Sequence, residues 1–178
     1  MPSLATKLSG ALLLTTLLVG SLACDGNSST SPNPQPQLTI RMTDAPTDEA
    51  SQVNVYISGL TLKPSGAPVV RIASDLGLVD LLSLRATTRD LATIGVTPGS
   101  YEYVQVELDQ GRSSVVERAS GAIRPLQIAS GEVKVLGGFV VPEAGGAVVT
   151  LDFDAAASLN HLGNGNWLLT PVIVKIGG

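Results

Sequence analysis

The chain offers few groups able to do chemistry, and their scarcity narrows the reactions open to it. It has one histidine, His161, and one cysteine, Cys24. A serine, threonine or cysteine nucleophile needs a base to activate it, and His161 is the only imidazole for that role. It stands between Asn160 and Leu162 in a Gly/Asn-rich stretch, where a solvated loop imidazole is the expectation. The sequence holds no GxSxG, HExxH, P-loop or GxGxxG pattern. A zinc site, which usually gathers three or four His and Cys ligands, cannot be assembled. No catalytic residue is expected, and no cofactor unless it is a hard cation held by oxygens.

Oxygen ligands are available in two places. Asp44, Asp48 and Glu49 fall within six residues of one another, and calcium, which takes 6–8 oxygens, could draw on several of them. The simpler reading makes Asp44 the cap of a turn before Pro46 and leaves Asp48 and Glu49 solvated. Asp152 and Asp154 form the second place, because alternation along a strand sets both on one face. A cation would relieve their repulsion, and a cross-strand Arg or Lys would do so equally. For a sugar ligand the platform would be aromatic: Tyr101 with Tyr103 on one strand face, or Trp167, whose ordinary use is as a lid on the core. A hydrolase working through carboxylates alone would need two of them about 5–10 Å apart across a cleft.

The N-terminus explains the lone cysteine. Lys7 supplies a positive charge, Leu8 to Ala23 carry none, Ala11 to Val19 form an apolar centre, and small residues follow. This is the pattern of a secretory signal. Gly10, Thr15, Thr16 and Gly20 interrupt the run, which falls short of a bilayer span of about 20 apolar residues. Ser21-Leu22-Ala23-Cys24 resembles the lipobox of bacterial lipoproteins, in which the signal is cut before a cysteine whose thiol carries a diacylglyceryl group; Ser21 stands where that pattern most often has leucine. Acylation also accounts for a thiol without a disulfide partner in an exported chain. The domains expected are a signal peptide at 1–23, a lipid-bearing Cys24 with a flexible Pro/Ser/Asn linker to residue 37, and a folded domain at 38–178. The location is the cell envelope, anchored at the extracytoplasmic side of the inner or outer membrane.

Cleavage there removes 23 of 178 residues and leaves 155, enough for one domain with a core. Of the 11 Lys and Arg only Lys7 is lost, so the net charge passes from −4 to −5. The basic residues are spread singly from Arg41 to Lys175, and a nucleic-acid partner is not expected. Asp25 to Gln37 has no large apolar side chain and has prolines at 32, 34 and 36, a composition that cannot order itself and suits a tether.

The elements that would position these residues are short strands. Leu38, Ile40 and Met42 alternate with Thr39, Arg41 and Thr43; Val53, Val55 and Ile57 with Asn54, Tyr56 and Ser58; Val104, Val106 and Leu108 oppose Tyr101, Tyr103, Gln105 and Glu107; Val149, Leu151 and Phe153 alternate with Thr150, Asp152 and Asp154. Residues 69–72, 78–82, 115–118, 123–128 and 132–136 are further short strands. The stretch 85–94 reads as a turn or two of helix. Asn164-Gly165 is a hairpin signal before a last strand at about 167–176, which Pro171 should confine to an edge or a bulge. The fold class is all-β: a single antiparallel β-sandwich of about nine short strands.

The order of segments LTIRMTDAP, VNVYISGL, VDLLSL, TPGSY followed by VQVELD, LDFDAAASL and GNGNWLLTPVIV resembles domain-of-unknown-function family 4382 of bacterial lipoproteins, over about residues 38–176. That resemblance implies a transthyretin-like or immunoglobulin-like sandwich outside the cytoplasm and brings no catalytic residues. The function expected is a membrane-anchored, non-catalytic binding or structural module, attached through lipid on Cys24 and contacting a protein or glycan partner. The alternatives are a calcium-dependent or carbohydrate-binding module and, third, a carboxylate-based hydrolase.

Overall fold

A computed structural model describes residues 35–45 and 47–177. The expected signal segment, Cys24 and residues 25–34 lie outside them. The elements are β1 (Gln37–Ala45), β2 (Ala50–Pro64), β3 (Val70–Asp80), a 3-10 turn (Leu81–Leu84), β4 (Arg89–Gly95), β5 (Gly99–Glu117), β6 (Ile123–Ile128), β7 (Glu132–Val141), β8 (Gly146–Asp154), the single-turn helix α1 (Ala155–Ser158), β9 (Leu159–Gly163), β10 (Asn166–Leu169) and β11 (Ile173–Gly177).

The strands form two sheets, one ordered β11-β8-β1-β4 and the other β3-β2-β5-β6-β10-β9, with β7 also paired to β5. The 19-residue β5 is long enough to share one edge between two partners, β7 along residues 99–107 and β6 along 114–116. Most pairings are antiparallel. Two are parallel, β1 with β8 and β6 with β10, each joining segments distant in sequence. The all-β sandwich is therefore mixed, a feature that alternation along single strands cannot report.

Alternation does report the core. Leu38, Ile40 and Met42 of β1, Val53, Val55 and Ile57 of β2, Val104, Val106 and Leu108 of β5, and Val149, Leu151 and Phe153 of β8 are all buried between the sheets. At about 25 cal/mol per Å² of apolar surface removed from water, this layer is the main stabilising term.

Two bulges change which face a strand buries. The ladders on both sides of β2 slip at Ser58, so Ile57 and Leu60, three residues apart, both enter the core. The same occurs at Glu102 in β5, and Tyr101 joins Val104 inside. A residue inserted into one strand of a pair reverses the in/out sense beyond it.

Other expectations need correction. Leu81–Leu84 is a 3-10 turn capped by the Asp80 carboxylate on the Leu82 N–H, and 89–95 is a strand against β1. β5 continues through Gly111 to Glu117; residues 110–113 bulge out of the ladder with β2, and the Ser113 hydroxyl closes the gap by accepting from the Tyr56 N–H at 3.0 Å. The last strand is two, β10 in one sheet and β11 in the other. Pro171 lies in the break, where its missing N–H costs no ladder bond. Buried Ser158 stitches the crossing: its carbonyl accepts from Thr170 N–H at 2.8 Å and its hydroxyl from Val172 N–H at 2.9 Å. The Asn164-Gly165 turn between β9 and β10 is as expected, with φ of 52° and 74°.

Candidate functional site

β3 and β4 are edge strands of different sheets, and between them the sandwich opens into a cleft of about 700 Å³. Val70 and Ile72 of β3 form one wall, Ile94 and Val96 the other, and Leu62 and Tyr101 are set deeper among core residues. Val70 is 50% exposed there, an apolar side chain facing open space. Gln35, Arg71, Thr97 and Ser100 mark the rim.

The polar groups around this cleft are largely engaged by the protein itself. Burial raises the Tyr101 phenol pKa, and its hydroxyl donates to the Thr97 carbonyl at 2.7 Å. Ser65 N–H donates to the Ser100 carbonyl at 2.9 Å, and Lys63 Nζ to the Ala67 carbonyl at 2.6 Å. The Arg71 guanidinium turns over the outer face of β2 to pair with Glu107, which also accepts from the Thr61 hydroxyl at 3.1 Å. Gly59 makes room for it, since a Cβ there would meet Arg71 and, at 2.8 Å, Glu107. What remains for a ligand is apolar wall below a rim that carries the side chains of Gln35, Ser65, Thr97 and Ser100.

A second hollow, of about 510 Å³, contains Glu49, Glu117, Arg124, His161 and Trp167. Glu117 Oε1 accepts from Arg124 Nε at 3.1 Å and from Trp167 Nε1 at 3.3 Å, and Oε2 from the Ser120 hydroxyl at 2.5 Å. These bonds, that from Ser120 first, hold its pKa below the ordinary glutamate value. A two-carboxylate hydrolase needs one carboxyl pushed upward so that it keeps a proton to donate. Glu117 is pushed the other way and serves as an ionised anchor for the Trp167 ring.

The residues marked in the sequence are placed as follows. Cys24 lies outside the described residues. Asp48 and Glu49 are exposed, while Asp44 is buried and accepts from the Ala155 N–H at 3.0 Å. It thus caps a segment 111 residues away in place of its own turn. Asp152 and Asp154 are half-buried on the solvent side of β8, and the Asp154 Oδ1 caps α1 through the Ala157 N–H at 2.8 Å. Among the described residues no group of three or more His, Cys, Asp or Glu is arranged to hold a metal ion.

Tyr101 and Tyr103 do not share a face, because of the bulge at Glu102. Tyr101 stacks on Phe139 in the core, with ring centroids 5.0 Å apart, while Tyr103 stays on the outer face beneath Lys134. Trp167 is buried and covered by His161, which stacks on it at 4.5 Å from an exposed place in β9. The cleft itself escaped sequence reading. Its walls come from segments more than twenty residues apart, each an ordinary strand by itself.

Two sheets of strands packed over one core, with an apolar cleft between two edges, define an all-β domain of the sandwich type. The family model for a domain of unknown function (DUF4382) matches residues 35–171, and the chain belongs to that family. No curated protein and no solved structure matches the chain.

Proposed function

We propose that this protein is a lipid-anchored, extracytoplasmic and non-catalytic binding module, with the cleft between β3 and β4 as its receiving surface. The observation that supports it is the exposure of apolar walls around a volume of about 700 Å³, within the roughly 300–1,000 Å³ of small-ligand sites. The residues lining the cleft include no His, Asp, Glu or Lys. The sequence N-terminal to the domain supplies the anchor at Cys24 and the linker.

A photoreactive amino acid at position 70, in whole cells, tests the reading. Adducts formed at position 70 and not at position 162, an equally exposed apolar site on β9, are expected. Equal or absent labelling at both positions would remove the cleft as the receiving surface.

A further inference from the structure

The place of the cleft relative to the chain's entry suggests what fills it. Gln35, the first described residue, lines its rim, and Pro36 is fixed there by accepting the Val96 N–H at 3.1 Å. Ten residues lie between Cys24 and Gln35, and the eleven steps from one to the other, even fully extended at about 3.3–3.6 Å each, span no more than about 40 Å. If Cys24 carries the anchor, the rim of the cleft is the part of the domain whose distance from the bilayer the chain limits most tightly.

The lining adds a second constraint. Val70, Ile72 and Ile94 offer apolar surface over buried Val96 and Leu62, and Tyr101 and Arg71 spend their polar groups on partners within the protein, which leaves the side chains of Gln35, Ser65, Thr97 and Ser100 at the rim. A sugar or nucleotide seated on the apolar wall would lose its hydration there and meet polar partners only at the rim. A linear hydrocarbon has nothing of that kind to lose.

We propose that the cleft between β3 and β4 seats one acyl chain of a lipid drawn from the adjoining bilayer. The proposal rests on the reading of the cleft as a receiving surface and names its ligand class. Binding of this kind is read by chain length, since each further methylene seated strengthens it by roughly fourfold.

The test uses the lipidated protein in nanodiscs containing a phospholipid with a diazirine near the end of one acyl chain. Photolysis followed by peptide mapping should place adducts on Val70, Ile72 and Ile94. Val70→Gln, at a half-exposed position that leaves the core untouched, should reduce the yield several-fold, and Leu162→Gln should leave it unchanged. Adducts confined to residues outside the cleft, or equal in both variants, would overturn the proposal. So would a cleft already filled by the protein's own Cys24 chains, because those carry no diazirine and give no adduct there.

The mass of the Cys24 peptide keeps the two readings apart. If Cys24 bears no lipid and the cleft still takes label from the nanodisc, the anchor is wrong and the acyl seat stands. If position 70 cross-links in cells to protein only, the cleft remains a receiving surface and the acyl seat falls.

Discussion

Asp44 is a carboxyl held away from water, with one oxygen bonded to the Ala155 N–H and the other, Oδ2, buried without a partner. Burial is the main reason its pKa rises to about 7; the Ala155 bond opposes the rise, and the charges of Asp152 and Asp154 add to it. The folded state thus keeps this proton over a range where the unfolded chain releases it. The contribution to stability is full below the unfolded value near 3.8, is lost as pH rises toward about 7, and is flat above. The loss is on the order of 4 kcal/mol. Asp75, Asp90, Asp109 and Glu117, whose pKa values are lowered chiefly by hydrogen bonds to Tyr56, Arg41, Arg112 and Ser120, act with the opposite sign and at more acid pH. Comparing Asp44→Asn with wild type isolates the one group. Urea midpoints at pH 4.5 and 8 should differ less in the variant than in wild type; an unchanged difference would show that Asp44 titrates normally.

Two glycines at the residue scale make a paired prediction. At Gly59 an added Cβ meets the ends of the Arg71 and Glu107 side chains, of which half-exposed Arg71 can swing into solvent and forfeit its ion pair, worth about 1 kcal/mol. At Gly138 it meets the Tyr101 carbonyl oxygen at 2.7 Å, and that oxygen belongs to a strand fixed on both sides. Gly138→Ala should cost about 2 kcal/mol or more and Gly59→Ala less than about 1, both read from chemical denaturation. A reversed order would mean that β5 yields more readily than its ladder implies.

At the scale of elements, what could be read from the sequence was what one strand decides alone. The inward set of β1, β2 and β8 follows from alternation because each keeps its period across the residues compared. Tyr101 could not be placed, since the bulge at Glu102 is a property of three strands together, and no feature of YEYVQVELD marks it. Pro171 was a better signal than the strand drawn through it: the missing donor required a break, and the chain changes sheets there. Asp44 carried a recognisable cap chemistry, yet its partner stands in LDFDAAASL, so that two of the segments used for the family resemblance meet through one hydrogen bond. Ser158 belongs to the same junction. Its hydroxyl donates to the Asp154 carbonyl at 2.5 Å and accepts from Val172, joining α1 to the residue before β11. Ser158→Ala removes both bonds and should lower stability by about 1–2 kcal/mol without altering the fold, measured as a shift in the urea midpoint with an unchanged m-value. A change in m would show that the crossing between sheets had opened.

For the whole molecule, the proposed division of labour is between a domain with its own core and a leader that supplies attachment. Among the described residues the buried set runs from Leu38 to Ile173. Attachment depends on lipid chemistry: one acyl chain binds a bilayer marginally, two or more hold stably, at about 0.8 kcal/mol per buried methylene. Cys24→Ala should therefore leave the thermal transition of the domain where it is and abolish fatty-acid incorporation. Metabolic labelling with a radioactive or clickable fatty acid, followed by membrane fractionation, separates the outcomes. Wild type should carry label and sediment with membranes, and the variant should carry none. A wild-type chain without label, released as a mature protein beginning elsewhere than Cys24, would overturn the anchor and with it the distance limit that ties the cleft to the membrane surface. A variant that no longer folds would show that the domain depends on its leader, against the closure of the core from Leu38 onward.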